Sequence, residues 1–261
     1  MSEPILHALM QLFAIIAFRE SNLKDRRSVV ESFLKRQLNQ ELVQQYLKIF
    51  DKYFSYHQEK AKEKERLAKR ASSSSVRVLR IATEINNQLT IQQKIVVLIR
   101  LLDFINTTSE IDNQEFQFVN SVAEIFNIPE IEFQYLRSFV IEPFESILES
   151  ENIIIINNIV NFKSKIVKHL YAESLRGEIK VLHIKSSNMF LFRFKGETEL
   201  YSNSQLLEED KVHIFRIGSS IRNSKIKPIY YSDIISCYNI DKLSSKVLFE
   251  AEDISLKFKG G

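Results

Sequence analysis

The spacing of apolar residues divides the chain into two halves with different periods. From Ile5 to about Ser146 the apolar residues recur at intervals of three and four, which is the period of a packed helix. The first helix is apolar on more than one face, through Ile5, Leu6, Leu9, Met10, Leu12, Phe13 and Ile16. This half therefore predicts an all-α bundle with a buried N-terminal helix.

Capping residues mark where the later helices begin. Asp25 and Thr90 are predicted as N-caps, since each lies just before an amphipathic stretch and offers a side-chain oxygen to the first turn. Asp112 is predicted to cap another helix in the same way, and Pro129 is predicted to open the last helix of this half. A further helix is predicted to start near Asn39.

A charged, serine-rich stretch at residues 59–76 interrupts the helical half. Residues 59–70 hold three acidic and six basic side chains, and four serines follow at residues 72–75. One interpretation is a basic strip at residues 60–70 for nucleic acid or anionic lipid. The other is a solvated helix extension followed by a flexible link, and the lack of interleaved aromatic residues favours it.

After about Glu151 the apolar period changes to two, which is typical of strands. The predicted strands cover residues 152–157, 179–184, 189–194 and 212–217, with a further one within 165–173. Turn residues, among them Gly177, Gly196 and Gly218, separate them. Short strands at this spacing predict a small antiparallel β-sandwich over residues 151–240, so the whole chain is predicted to be an α+β fold.

Composition narrows the possible functions. The 261 residues include 36 basic and 33 acidic side chains, and the net charge of +3 is too small to indicate nucleic acid as the main partner. No pair of the five glycines has the spacing of a dinucleotide fingerprint or a Walker A loop. The single cysteine, Cys237, excludes an internal disulfide and a cysteine-rich zinc site.

The N-terminus and the longest apolar run bear on localisation. Residues 1–4 carry no basic region ahead of an apolar stretch, so no secretory signal is predicted. The longest nearly apolar run, residues 9–18, is far shorter than the roughly 20 residues that cross a bilayer. We therefore expect a soluble, cytoplasmic chain that meets a membrane only through a larger parent protein.

No catalytic constellation stands out. The histidines are scattered, and none has the i,i+4 partner of a helical zinc motif: His7, His57, His169, His183 and His213. We therefore expect no enzyme activity and no bound cofactor in this chain.

Two pieces of the helical half resemble each other and a known family. Residues 16–27 and 104–115 each read as a helix, a short acidic turn, an apolar residue and a second helix. This repeat resembles the TerB-like tellurite-resistance fold, which implies a TerB-like helical domain over residues 1–146. In that family the carboxylates of the two turns can hold a metal, as suits a hard cation.

The turns of this chain depart from the TerB-like pattern. The first copy has Glu20 but carries Arg27 where the second acid is expected, and the second copy has lost its first acid and keeps Glu115. Glu20 and Glu115 are therefore the candidate metal ligands. Capping or ion pairing is the alternative role for both, and it is the one we favour.

The closing strands of the β half resemble those of a forkhead-associated (FHA) domain. The resemblance covers residues 199–207 and 212–222. That family binds phosphothreonine through an early Gly-Arg, then a serine and an asparagine, and no Gly-Arg with a suitable serine precedes these strands here. The resemblance implies an FHA-like sandwich without the phosphate site.

The last residues resemble the opening strand of an ABC-type ATP-binding cassette. Residues 246–258 alternate up to Gly260 and Gly261, and residues 219–234 resemble a segment just ahead of the cassette in large ABC ATPases with a TerB-like N-terminal part. The resemblance implies that residues 241–261 are the truncated start of a cassette, and that ATP and Mg²⁺ bind only further downstream. Chance alternation in a terminal strand is the alternative.

These resemblances imply a non-catalytic regulatory or protein-docking region ahead of an ABC ATPase. Its partners would be the cassette in cis and a protein still to be identified. The contact candidates combine basic and aromatic character near the junction: Arg222, Lys225, Lys227, Tyr230 and Tyr231. Alternatively, the tyrosines cover the end of the sandwich and the cations are solvated.

Two other functions stay open at this point. The first is a metal-responsive stress sensor in the TerB-like manner, which depends on Glu20 and Glu115. The second is a nucleic-acid or membrane-surface adaptor that works through residues 60–70.

Overall fold

The structure is a computed structural model, and it describes residues 2–19, 23–36, 38–66, 73–107 and 113–239. Its α-helices are α1 (Glu3–Arg19), α2 (Leu23–Lys35), α3 (Gln40–Arg66), α4 (Ser73–Gln88), α5 (Ile91–Ile105), α6 (Asn113–Ile125), α7 (Glu130–Ile141) and α8 (Tyr231–Asn239). A short 3-10 turn at Phe144–Ser146 follows α7.

The strands occupy the second half of the chain. They are β1 (Ile153–Asn157), β2 (Lys168–Tyr171), β3 (Gly177–Ile184), β4 (Met189–Gly196), β5 (Tyr201–Ser202), β6 (Gln205–Leu206), β7 (His213–Phe215), β8 (Ser220–Arg222) and β9 (Ile229–Tyr230). With helices first and strands after them, the chain has the predicted α+β fold.

The N-terminal helix α1 packs against α2, α3, α4 and α5. Its apolar residues are buried around the whole helix, from Leu9 and Met10 to Phe13 and Ile16. Between Glu3 and Arg19 the helix contains no acidic residue, lysine or arginine, so it can be enclosed without burying a charge. This confirms the prediction of a buried first helix.

The predicted helix starts meet different outcomes. Thr90 caps α5 in a full capping box: its hydroxyl accepts from the Gln93 amide at 3.3 Å, and the Gln93 side chain accepts from the Thr90 amide at 2.9 Å. Pro129 lies immediately before α7, as predicted. The Asp25 prediction is wrong, because α2 already begins at Leu23 and Asp25 lies in its first turn. Asp112 lies outside the described residues.

The strands form two sheets. One has the order β2-β1-β3-β4-β7, and the other has the order β6-β5-β8-β9. Every pairing is antiparallel except β1 with β2, which run parallel with Ile154 opposite Lys168 and Asn157 opposite Tyr171. The predicted antiparallel sheets therefore include one parallel pair at an edge. The connection at residues 158–167 is long enough to return along the sheet before β2 begins.

The five-stranded sheet is buried on both faces. Its side chains alternate between a core shared with the helices, which includes Leu182 and Leu191, and a second core against the four-stranded sheet, which includes Val181 and Phe192. Burial on both sides explains why β1 is an unbroken run of isoleucines. The helical half and the β half therefore share one apolar core.

Cations of the sheet fix the end of α7 at this junction. Arg193 of β4 donates to the carbonyl oxygens of Phe139 and Glu142 at 2.7 and 2.8 Å. Lys180 of β3 donates to the carbonyl of Phe144 at 2.9 Å. These carbonyls lie at or just beyond the C-terminal end of a helix, where positive charge is favourable. The sheet thus terminates α7 by binding its last carbonyl groups.

Candidate interaction surface

The β5–β6 hairpin sets two apolar residues side by side. Its two turn residues, Asn203 and Ser204, have φ values of 50° and 66°. Two successive residues with positive φ are the mark of a type I′ turn, which matches the twist of antiparallel strands. The turn brings Tyr201 directly opposite Leu206.

Strand β8 extends this row across the four-stranded sheet. Tyr201 of β5 is opposite Arg222 of β8. Two residues before Arg222 on the same strand, Ser220 is opposite Tyr230 of β9. Directly paired residues project from the same side of a sheet. The alternate residues of β8 and β9, including Ile221, point into the core. We call the exposed side, carrying Tyr201, Leu206, Arg222 and Tyr230, the outer face.

The β8–β9 loop adds two lysines next to the outer face. The Asn223 side chain accepts hydrogen bonds from the amides of Lys225 and Ile226 at 2.8 and 2.9 Å, and it donates to the Glu199 carbonyl at 3.0 Å. Ile226 is buried, whereas Lys225 and its neighbour Lys227 are exposed. The loop is therefore anchored from within and holds both cations toward solvent.

Two adjacent tyrosines point in different directions where β9 passes into α8. The Tyr230 amide donates to the Asp233 carboxylate at 2.8 Å, and the Tyr230 ring is exposed. The Tyr231 ring packs edge-on against Phe190 and Phe215, at centroid distances of 5.4 and 5.8 Å. Burial raises the pKa of the Tyr231 phenol. Of the five contact candidates, Tyr231 is thus half-buried against the core and does not belong to the outer face.

The cations of this surface are available to a partner. Arg222, Lys225 and Lys227 are exposed, and none of them forms an ion pair with another described residue. Some other exposed lysines are paired, as Lys185 is with Glu151 at 2.6 Å. The outer face and its loop therefore combine two tyrosines, a leucine and three open positive charges, a composition that suits an interface.

Sequence reasoning missed two members of this surface, Tyr201 and Leu206. Each belongs to a two-residue strand, which is too short to give a recognisable alternation. The available signal was the Asn203-Ser204 pair, because asparagine tolerates positive φ in hairpin turns. Reading that turn would have placed the two residues opposite each other.

The structure describes only one of the two candidate metal ligands. Glu115 is buried in α6, where its Oε1 accepts from Arg26 of α2 at 2.5 Å. Glu20 lies outside the described residues. Among residues that are described, no three His, Cys, Asp or Glu side chains come together in a geometry that could hold a metal. Glu115 thus acts as an ion-pair partner here.

Burial favours the neutral form of three histidines in the five-stranded sheet. Burial lowers the pKa of His169, His183 and His213, and each ring stacks on a phenylalanine. Burial also raises the pKa of the Cys237 thiol, which keeps it protonated. These groups are spread over different strands and α8, each with its own local partners.

The predicted basic strip at residues 60–70 lies partly outside the described residues, and the predicted cassette start at residues 241–261 lies wholly outside them. The helix α3 continues to Arg66, so the backbone of residues 60–66 is helical, while residues 67–72 lie outside the described part. Residues 240–261, with the predicted cassette strand, lie outside it as well.

Comparison of the chain with models of known protein families, with curated proteins and with solved structures finds no match. The TerB-like, FHA-like and ABC resemblances therefore stay predictions from sequence. Within the described helices, none is long and apolar enough to cross a bilayer.

Proposed function

We propose that this chain is a non-catalytic docking region that regulates an ATP-binding cassette of the ABC type, and that it contacts its partner through the outer face and the β8–β9 loop. The single observation that supports this is the open cluster of Arg222, Lys225 and Lys227 beside exposed tyrosines. The cassette itself is proposed on the sequence of residues 246–258.

The chemistry of the surface specifies its partner. Three cations that no described carboxylate neutralises favour a surface rich in Asp and Glu, since complementary charge steers association and excludes like-charged partners. Tyr201, Tyr230 and Leu206 supply the apolar contact area that charges alone do not. The partner surface is therefore acidic, with apolar side chains between the acids.

Regulation requires more than binding. A docked region shifts a cassette between its states only if it binds one of them more tightly. A change at the outer face could reach the helical half through the five-stranded sheet, because Arg193 and Lys180 of this sheet bond carbonyls at and just after the end of α7. The same sheet packs its other face on the four-stranded sheet that carries the outer face.

The test compares ATP turnover by the ATPase that carries this chain with turnover by a version lacking residues 1–240. We expect the rate to differ between the two. We also expect the triple variant Arg222→Gln, Lys225→Gln and Lys227→Gln to behave like the shortened version. The matched control neutralises Lys163, Lys165 and Lys211, which are also exposed, and it should keep the unaltered rate.

Two results would overturn the proposal. One is a turnover rate that is the same with and without residues 1–240. The other is a triple variant that matches the control, because the regulating contact would then lie on another surface.

A further inference from the structure

The connection between β1 and β2 exposes two adjacent apolar side chains. Ile159 is 51% exposed and Val160 is 75% exposed. Because Asn157 is opposite Tyr171 in the parallel pair, the connection leaves the sheet at the end where the exposed Tyr171 lies. An apolar tip thus projects at one end of the edge strand β2.

The tip is held in place by the rest of the connection. The Asn157 side chain accepts from the Ile159 amide at 3.1 Å, and the Phe162 ring stacks on His169 at a centroid distance of 4.5 Å. Ser164 accepts from the amides of the two residues that lead into β2, both at 3.1 Å. Phe162 packs inward, and these hydrogen bonds fix the backbone on both sides of it. The side chains of Ile159 and Val160 are therefore held in exposed positions.

The segment of chain that carries the tip is positively charged. Residues 152–172 contain three lysines and no aspartate or glutamate. Lys163 and Lys165 are exposed and form no ion pair with a described residue, while Lys168 packs its Nζ over the Tyr238 ring at 5.3 Å. The acids nearest to this stretch are Glu151 and Glu173 at its two ends and Glu178, whose carboxylate accepts from the Asn157 side chain at 3.0 Å.

We propose that this connection docks on an anionic lipid surface, with Ile159 and Val160 entering the boundary of the acyl chains and Lys163 and Lys165 facing the headgroups. A projecting side chain enters a fluid apolar layer without needing a pocket of matching shape, and lysines beside it add attraction to anionic lipid. This contact is independent of the outer face. It also gives the chain a membrane contact of its own, where the sequence predicted one only through a parent protein.

The experiment measures binding of the full chain to vesicles by flotation. The vesicles contain either phosphatidylcholine alone or phosphatidylcholine mixed with phosphatidylserine. We expect binding to the mixed vesicles that weakens as salt is added, because salt screens the lysines. Replacing Lys163 and Lys165 with glutamine should lower the partition coefficient about 30-fold, since a lysine near an anionic surface is worth about a factor of five.

The apolar contribution is tested by Ile159→Gln with Val160→Gln, which should lower partitioning at least about tenfold. The matched control is Ile131→Gln on α7, because Ile131 is 58% exposed but lies between Glu130 and Glu132. A second control, Lys225→Gln with Lys227→Gln, removes the same charge from the outer face. Both controls should partition like the unaltered chain.

Several outcomes would overturn the proposal. The chain could fail to bind the mixed vesicles, or the Ile159 and Val160 changes could leave binding unaltered. If the outer-face control lost binding while the Lys163 and Lys165 variant kept it, the membrane contact would belong to the outer face. None of these results depends on ATP turnover, so they are distinguishable from a failure of the proposed docking function.

Discussion

Two regions of the molecule each bury an arginine, but they differ in how far the carboxylate that pairs with it is exposed to water. Arg26 lies in the helical half and Arg193 lies where the five-stranded sheet meets α7. In the helical half the partner carboxylate, Glu115, is only 1% exposed, whereas at the junction the partner, Asp210, is 41% exposed. The first charge pair is sealed from water and the second is open on one side.

The sealed pair depends on each partner for its solvation. Arg26 donates to Glu115 at 2.5 Å and to the carbonyl of Phe104 at 2.9 Å, with the guanidinium 4.9 Å from the Phe104 ring centre. Taking both charges out of water costs more than a hydrogen bond returns, so the pair is weak support for stability as long as both members are present. Removing one member should be far more damaging.

The open pair depends less on charge and more on backbone. Arg193 donates to Asp210 at 2.5 and 3.1 Å, and water can replace that carboxylate. Its bonds to the carbonyls of Phe139 and Glu142 are harder to replace, because they satisfy the end of a helix packed on the sheet. Substituting the partner carboxylate should therefore have different effects on stability at the two arginines: a large one for Glu115 and a small one for Asp210.

The largest expected effect comes from Arg26→Met. This variant leaves the buried Glu115 without its arginine, so the free energy of unfolding should fall by about 3–5 kcal/mol. Urea unfolding followed by circular dichroism measures the change.

The double variant Arg26→Met with Glu115→Leu sharpens this result. Replacing both charges with apolar side chains removes the buried charge, so most of the lost stability should return. If the double variant were as unstable as Arg26→Met alone, the pair would matter for shape or for its other contacts, and the sealed-charge explanation would be wrong.

The next effect in size is that of Arg193→Met. It leaves the carbonyls of Phe139 and Glu142 without their donor, and the free energy of unfolding should fall by about 2–3 kcal/mol. The partner carboxylate separates this site from that of Arg26. Asp210→Asn alone should lower the free energy of unfolding by less than about 1 kcal/mol, because the Asp210 carboxylate is partly exposed to water. If Asp210→Asn lowered the free energy of unfolding as much as Arg193→Met does, the ion pair would be the main contribution of Arg193 and the bonds to the carbonyls would be secondary.

How far the sequence could predict these regions depends on how local each signal is. The period of apolar residues identified the helices of the first half and the main strands, because it records which face is buried. It did not identify α8, which lies within the residues predicted to be a sandwich. The run of isoleucines in β1 correctly indicated a buried strand. The direction of β2 could not be predicted, because the partner of an edge strand is chosen by the fold and not by its own four residues.

The residues of the two charge sites show the same limit. Sequence reasoning placed Arg27 and Glu115 at equivalent positions of the two copies and named no partner for Glu115. The structure pairs Glu115 with Arg26, the residue before Arg27, while Arg27 bonds Asp51 of α3 at 2.9 Å. One residue turns a side chain by about 100° around a helix, so an offset of one changes the partner. Tyr230 and Tyr231 repeat this problem at the start of α8, where one ring is exposed and the next is half-buried against the core.

A smaller effect is expected from Lys180→Met. Lys180 is directly opposite Arg193 in the β3–β4 pair and donates a single bond, to the Phe144 carbonyl. Its loss should lower the free energy of unfolding by about 1 kcal/mol. Since the two cations bind carbonyls of the last turn of α7 and of the 3-10 turn that follows it, the losses of Lys180→Met and Arg193→Met should not add in the double variant. Strict additivity in urea unfolding would mean that the two contacts are independent.

The smallest effect separates the two regions by pH. Burial lowers the pKa of His213 in the folded sheet below the ordinary 6.5, so the unfolded chain binds the proton more readily. Stability contributed by the neutral imidazole is therefore present above pH 6.5 and is lost as the pH falls through the lower, folded value. His169 and His183 have the same direction. Unfolding midpoints should decline between about pH 7.5 and about pH 5.5.

The variants assign this pH dependence to the sheet. His213→Gln removes one of the three groups and should make the decline shallower, because glutamine does not titrate. The Arg26→Met and Glu115→Leu double variant keeps all three histidines and should decline as steeply as the unaltered chain. A midpoint that rises on acidification would contradict the lowered pKa values of the histidines. A slope that changes in the double variant but not in His213→Gln would place the titrating group in the helical half and contradict the assignment to the sheet.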